Sequence, residues 1–227
     1  MSRTPKTSSR TDVVYEALRS DLLDGRIRPG ERLKLPALSE RFGLSMTVIR
    51  EALTRLAEQG MVVVNPARGY SAVELSVADL NDLTYVRIQL ETLTLRASIE
   101  RGDVAWESGV VAALHTLNRT PNLHQDGTFN AEWFGCHREF HHALLAGCGS
   151  PRLLAIADAE RDRAELYRAW TRSLTHRLER DVRAEHEDIA GAALARDSDG
   201  ATAALAAHIQ KTTDLLLAYA ESSAANA

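Results

Sequence analysis

The run from Leu35 to Gly60, LPALSERFGLSMTVIREALTRLAEQG, limits the fold more than any other part of the chain. Pro36 suits the first turn of a short helix to Phe42, because the N–H it lacks would be unpaired there anyway. Gly43-Leu44 supplies a turn, and Ser45 suits an N-cap whose hydroxyl accepts from the next helical turn. Ile49, Ala52, Leu53 and Leu56 then fall at i, i+3, i+4 and i+7, a single buried face. Met46, Thr47, Arg50 and Thr54 are left on another face, close to the helix start. Two helices, a tight turn and a polar, basic N-terminal face describe a helix-turn-helix with Ser45 to Gln59 as recognition helix. An ordinary helical hairpin with a solvated face has the same period, so the pattern alone leaves both open.

The flanking segments narrow the choice. Asp12 to Asp24 reads as a first helix, with Val14, Leu18 and Leu22 stacked and Gly25 as a left-handed cap. Arg28-Pro29-Gly30-Glu31 is a turn. After the helix-turn-helix, Met61 to Val64 and Tyr70 to Leu75 read as strands around an Asn65 to Gly69 turn. Three helices and a β-hairpin make the winged variant, with Arg68 and Gly69 at the tip, where a wing touches phosphates or the minor groove. Net charge is −4, yet residues 1–75 hold twelve Lys and Arg against nine Asp and Glu. A basic N-terminal part joined to an acidic remainder fits a nucleic-acid-binding module fused to something else.

From Ser76 the texture becomes helical, with helices expected near 76–101, 104–117, 130–146, 151–180, 182–195 and 200–220. The first carries Leu80, Leu83, Val86, Leu90, Leu93 and Ala97 as its expected core stripe. The fold class is therefore mainly α, an N-terminal winged helix-turn-helix followed by an antiparallel bundle of about six helices. Residues 1–10 are expected to be a disordered basic arm, 11–75 the winged domain, 76–220 the bundle and 221–227 a flexible tail. No repeat appears, and the only biased stretch is the Ala-rich tail. The absence of a run of about 20 apolar residues argues against a membrane span, and the basic start lacks a following hydrophobic segment, so no secretory signal is expected. Cys136 and Cys148 do not form a disulfide framework. The cytoplasm is the expected location.

Of eight histidines, four can be brought together by geometry. His137 and His141 share a helix face at i, i+4. His186 and His208 lie eleven residues before and after Asp197, level with each other in a helical hairpin. Four imidazoles from three helices make a candidate divalent-metal site, with Glu185 and Asp188 as supporting groups. Ordinary interior or surface histidines are the competing reading. His142 projects about 100° from His141, and His115, His124 and His176 have no assigned role.

Residues 13–75 resemble the N-terminal domain of the GntR superfamily of bacterial transcription regulators. The resemblance rests on VYEALRSDLLDGRIRPGERL, LSERFGLSMTVIREALTRLAEQGMV and the ARGY wing. It implies that Ser45, Thr47 and Arg50 contact DNA, Arg50 at a guanine, while Met46 replaces the family's usual Arg and Val48 its common Pro. The plain alternative for Arg50 is a surface ion pair with Glu51 or Glu58. Residues 76–220 are similar to the FadR-like subgroup and its metal-binding ligand domain, through VRIQLE, HREFHHALLAGCGSP, EHEDI and His208. The subgroup's pattern is Asp-x-x-x-His, a Glu-His pair, and a last His about 22 residues on; His137 takes the place of the Asp, and Ser150 that of a common Asn.

This resemblance implies a divalent metal ion on His137, His141, His186 and His208, zinc first, with nickel, manganese or iron as alternatives. It also implies a homodimer on a palindromic double-stranded DNA operator. A small carboxylate effector is expected beside the metal, with Arg87 as charge partner, although Arg87 also stands i, i+4 from Glu91. The expected function is a ligand-responsive regulator, with repression relieved by its effector as the commoner mode and activation left open. A constitutive dimeric DNA-binding protein with a vestigial metal site and a helical metalloenzyme are the two rivals.

Overall fold

The computed structural model describes residues 9–23, 25–66, 68–74, 76–124, 130–175 and 180–224. The N-terminal arm to residue 8, the ends expected at Asp24 and Leu75, Gly127 of the loop, His176 and the tail from residue 225 lie outside them. The chain divides into two compact units, Ser76 and what precedes it with Glu165–Trp170, and Val77–Ala164 with Thr171 onward.

In the first unit, α1 (Arg10–Leu23) buries Val14, Leu18 and Leu22 completely. Gly25, at φ +71°, closes the helix by donating to the Leu22 carbonyl at 3.1 Å. The Arg28–Glu31 turn leads into β1 (Arg32–Leu33), a strand too short to leave a periodic trace in sequence. After α2 (Leu35–Phe42), Gly43 takes the left-handed conformation and Leu44 N–H returns to the Ser39 carbonyl. The Ser39 hydroxyl donates to the Leu44 carbonyl at 2.6 Å, which fixes the turn from both sides. Helix α3 (Met46–Glu58) follows and buries Ile49, Ala52, Leu53 and Leu56, the face expected from the period. Ser45 is the N-cap residue and its carbonyl accepts from Ile49 N–H, but its hydroxyl makes no capping bond, contrary to expectation. Strands β2 (Val62–Asn65) and β3 (Gly69–Ala72) form the hairpin, and β1 joins it to give the antiparallel order β1-β3-β2.

One buried charge binds this unit together. Asp21 is 3% exposed and takes Arg41 and Arg26 on its two oxygens, each at 2.6 Å. Burial pushes its pKa up, and the two guanidiniums more than offset that, leaving it below 3.8. Folding therefore lowers the value, so the ionised carboxylate contributes stability that is complete above pH 3.8 and lost as pH falls through the folded value. Asp21→Asn is expected to cost about 1–3 kcal/mol, since both arginines keep access to water. Urea melts at pH 7 and at low pH check this: the deficit should shrink as pH approaches 3, and a deficit independent of pH would refute the ionic account.

The second unit is helical among its described residues: α4 (Val77–Arg101), α5 (Val104–Arg119), α6 (Ala131–Leu145) with a 3-10 turn at Ala146–Cys148, α7 (Pro151–Thr175) apart from its Glu165–Trp170 stretch, α8 (Val182–Leu194) and α9 (Ser198–Ala224). Asp103, Asn130 and Asp181 cap α5, α6 and α8 through side-chain oxygens that accept backbone N–H groups. Leu95, Ile99, Val110, Phe140, Leu144, Ile189, Leu205 and Ile209 lie in its core. No helix among the described residues is long and apolar enough to cross a membrane.

Helix α4 departs from its expected stripe. Leu80 and Leu83 are buried, but Val86, Leu90 and Ala97 are only half-buried and Leu93 is 57% exposed. The packed face is instead built from Thr84, Arg87, Glu91, Thr94, Leu95, Ser98 and Ile99. Its polar groups are satisfied in place: Thr84 Oγ1 lies 2.6 Å from Thr213 Oγ1, and Ser98 Oγ donates to the Leu145 carbonyl at 2.7 Å. The inner face of α4 is thus a mixture of apolar and internally satisfied polar side chains rather than a purely apolar stripe.

Candidate functional site

Two groups of side chains stand out, one in each unit. On the first, Ser45, Met46, Thr47 and Arg50 are exposed together at the start of α3. Among the described residues Arg50 forms neither a hydrogen bond nor an ion pair, so the pairing with Glu51 or Glu58 does not occur. The other side of α3 is tied down: Glu51 accepts from Thr11 Oγ1, Arg55 pairs with Asp12 at 2.8 Å, and Gln59 accepts from Tyr15 OH at 2.7 Å. The Thr54 and Tyr70 hydroxyls, 3.3 Å apart, join α3 to the wing. Arg68 and Gly69 are exposed at the hairpin tip, where Arg68 N–H closes the turn onto the Asn65 carbonyl. Arg32 Nη2 donates to the Arg68 carbonyl at 3.3 Å, and a groove of about 540 Å³ runs along Arg32, Lys34 and Arg68. Sequence alone does not place Arg32 and Lys34 beside the wing, because β1 is too short to leave a periodic trace.

On the second, His137 and His141 from α6, His186 from α8 and His208 from α9 converge, each no more than 2% exposed. One potential donor atom from each lies within 4.8 Å of the others. The α8–α9 hairpin brings the His186 and His208 rings to 4.8 Å, as equal distance from its turn requires. Trp133 stacks on His137 at 4.9 Å. The Glu185 carboxylate sits 2.8 Å from His208 Nδ1 and is held from the other side by Arg180, at 2.9 Å and 2.5 Å. Burial works against its ionised form, but the bonds from His208 and Arg180 outweigh it and keep the carboxyl far below its usual range. An ionised Glu185 accepts a hydrogen bond from His208 Nδ1–H, which keeps the proton on Nδ1 and leaves the lone pair on Nε2. Asp188, the other expected support, is exposed and has no partner among the described residues.

The donor set fits a divalent transition metal. His141 Nε2 is buried and has no hydrogen-bond partner among the described residues, an arrangement that costs about 1–3 kcal/mol when nothing takes the lone pair. Burial, then the charges of His137, His208, His186 and Arg161, push the His141 pKa well below 6.5, so the ring is neutral and able to donate. Imidazole nitrogens suit zinc, copper, iron or nickel rather than magnesium or calcium. Four nitrogens held at about 2.1 Å around a tetrahedral ion stand roughly 3.4 Å apart, closer than the 4.8 Å within which these donors lie.

Next to this cluster lies a buried charge network. Arg87 is 3% exposed and its Nε donates to Glu91 Oε1 at 2.8 Å, the i, i+4 pairing considered from sequence. The second Glu91 oxygen faces Arg161 Nε of α7 at 3.5 Å, while Arg161 Nη1 donates to Asp158 at 2.9 Å. Asp158 in turn lies 2.8 Å from His142 Nδ1. Burial pushes the Glu91 carboxyl up, and Arg87 and Arg161 together bring it below 4.5. Nothing in sequence singled out Arg161, which reads there as part of a charged, solvated helix face.

Comparison with known proteins finds a family match for each part of the chain. Residues 10–71 match the bacterial regulatory proteins of the gntR family, and residues 82–211 match the FCD domain. An uncharacterized HTH-type transcriptional regulator BphR of Paraburkholderia xenovorans (strain LB400) is 34% identical over 92% of this chain and 85% of its own length. The HTH-type transcriptional repressor GlaR of Escherichia coli (strain K12) is 31% identical over 86% of this chain and 90% of its own length. The solved structure of E. coli McbR/YncC shares the fold at a TM-score of 0.78 and 23% identity, covering 94% of this chain and 99% of that one. These relatives are transcription regulators, which sets the metalloenzyme reading aside. The chain belongs to the GntR family of bacterial transcription regulators and carries an FCD domain after its winged helix-turn-helix.

Proposed function

We propose that this protein is a dimeric transcriptional repressor whose bundle holds a divalent metal ion and releases DNA when a small organic acid binds. The observation that carries the ligand-responsive part is the buried four-histidine cluster with the unpaired His141 Nε2. Residues 11–75 bind DNA: α3 enters the major groove, with Ser45, Met46, Thr47 and Arg50 toward base edges. Arg68 and Gly69 of the wing, with Arg32 and Lys34, lie along the phosphates. Residues 76–220 hold the effector and the dimer contact. Tyr85 and Leu93, 65% and 57% exposed on α4, supply the apolar surface for a second copy, and two-fold symmetry sets two recognition helices on a palindrome. His137, His141, His186 and His208 would hold the metal, zinc first, with nickel, manganese or iron as alternatives. When bound, the metal supplies a Lewis-acid position for an effector carboxylate. The acid must bind one arrangement of the dimer more tightly than the other to shift the population off DNA.

The test is fluorescence anisotropy with the protein's own promoter region, on chain purified without a tag. Specific binding and about one metal ion per chain are expected, with a changed DNA affinity after chelation that is restored by zinc. DNA affinity and melting temperature indifferent to chelator would instead support a constitutive dimer, in which His137 has cost the site its metal.

A further inference from the structure

We propose that Met46 is a specificity residue that reads the 5-methyl group of a thymine, one helical turn before the guanine contact assigned to Arg50. The inference rests on the DNA-reading role proposed above for α3 and gives one of its contacts a base and a chemistry.

The start of α3 carries three apolar side chains with different surroundings. Leu44 and Val48 are partly buried and pack against the core of the first unit. Met46, the first residue of the helix, lies between them in sequence, is 50% exposed and belongs to neither core cluster. Folding alone therefore gives no reason for a large apolar residue at this position. Its exposed neighbours Ser45, Thr47 and Arg50 are polar, and among the described residues their side chains make no hydrogen bond or ion pair. One apolar group among free polar ones suits a major-groove surface. Base edges there offer donors, acceptors and a single apolar feature, the thymine methyl. Phosphates, by contrast, are held by charged and polar groups, so an apolar side chain gains nothing from them. Methionine adds three rotatable bonds and a polarisable sulfur, which let it close over a small group.

Spacing narrows the prediction. Met46 and Arg50 stand i, i+4, about 6 Å apart on one helix face, and successive base pairs lie about 3.4 Å apart. The thymine therefore falls within about two base pairs of the guanine read by Arg50, once in each half-site. Its buried methyl group is worth about a four-fold preference per half-site, the equivalent of about 0.8 kcal/mol for one buried carbon.

Selection of the full chain on duplexes randomised over two half-sites, followed by anisotropy on the enriched sequence, tests this. Wild type should enrich a thymine at that spacing from a guanine that depends on Arg50. Replacing this thymine by deoxyuridine, which lacks only the methyl group, should weaken wild-type binding about four-fold per half-site. Cytosine in its place should gain affinity when methylated at C5, which presents the same group in the groove. Met46→Ala should bind the thymine and deoxyuridine duplexes alike, Met46→Leu should keep part of the discrimination, and Met46→Arg should turn the preference toward guanine. Because Met46 is half-exposed, these variants should melt like wild type, which separates lost reading from lost fold. Undiminished wild-type affinity for the deoxyuridine duplex overturns the proposal, as does a discrimination that survives in Met46→Ala. An enriched site that needs Arg50 but holds no thymine at that spacing refutes this inference alone. If no sequence is enriched, the DNA-reading role of α3 falls and this inference falls with it.

Discussion

His141→Ala is expected to lower bound metal from about one ion per chain to less than about a tenth, and to remove the stabilisation that comes with it. A ligand that binds only the folded chain stabilises it by about 4 kcal/mol when present at a thousand times its dissociation constant. For a chain of this length that corresponds to roughly 8–16 °C in Tm. A cavity left by the lost ring also lowers stability, so a drop in Tm alone does not identify a ligand. The separating observation is chelation, which should lower the melting temperature of wild type but leave His141→Ala where it was. Glu185→Gln should be milder. It keeps the shape but weakens the acceptor that fixes His208, 2.8 Å away, and should cost about 10–100-fold in metal affinity. Asp188→Asn, at a residue exposed and without partners among the described residues, should change nothing. Unaltered metal content in His141→Ala would remove the four-histidine site from consideration.

The same residue gives this prediction a pH signature. Folding lowers the His141 pKa well below 6.5, first through burial and then through the neighbouring histidines and Arg161. Between that lowered value and 6.5 the unfolded chain binds the proton and the folded chain does not. Stability is therefore complete above pH 6.5 and lost as pH falls through the window. Metal binding requires neutral imidazoles, so acid acts on it in the same direction. Metal-free wild type should lose stability on acidification from pH 7 to 5 more steeply than His141→Ala. Parallel pH profiles would mean that this ring does not titrate as its surroundings dictate.

What the sequence disclosed follows the kind of constraint involved. The buried face of α3 and the meeting of His186 with His208 come from helical period and from counting outward from a turn. Neither depends on what packs against the helix. The α4 stripe depends on that entirely, and there the expectation held only in part: Leu80 and Leu83 are buried, but Leu93 is exposed while Thr84, Arg87 and Glu91 are buried. Counting apolar residues finds a helix but identifies its inner face only when the interior is apolar. Arg161 was invisible for the same reason, because burial of a charge follows from partners on other helices, here Glu91 of α4. Strand β1, two residues long, is too short for alternation and exists only through pairing with Ser71 and Tyr70. Ser45 shows a subtler gap: residue type and position suggested a capping hydroxyl, yet only its carbonyl takes part in the helix start.

Arg50→Ala is expected to weaken specific operator binding by about 5–150-fold, the equivalent of about 1–3 kcal/mol for losing a bidentate base contact. The fold should not notice. Arg50 is exposed and unpaired among the described residues, so Tm should hold within about 1 °C, as for a surface change away from packed features. Two further variants separate base reading from simple charge attraction. Arg50→Lys keeps the charge but loses the planar fork, so it should recover non-specific DNA binding and little of the preference for the operator. Arg68→Ala, at the wing tip, should weaken operator and random DNA alike and reduce the slope of log affinity against log salt by about one. Anisotropy titrations at two salt concentrations, with operator and scrambled duplexes, distinguish these patterns. If Arg50→Ala binds the operator as wild type does, the exposed face of α3 is not the reading surface. Attention would then move to the cationic groove of Arg32, Lys34 and Arg68, which offers charge without a base-reading helix.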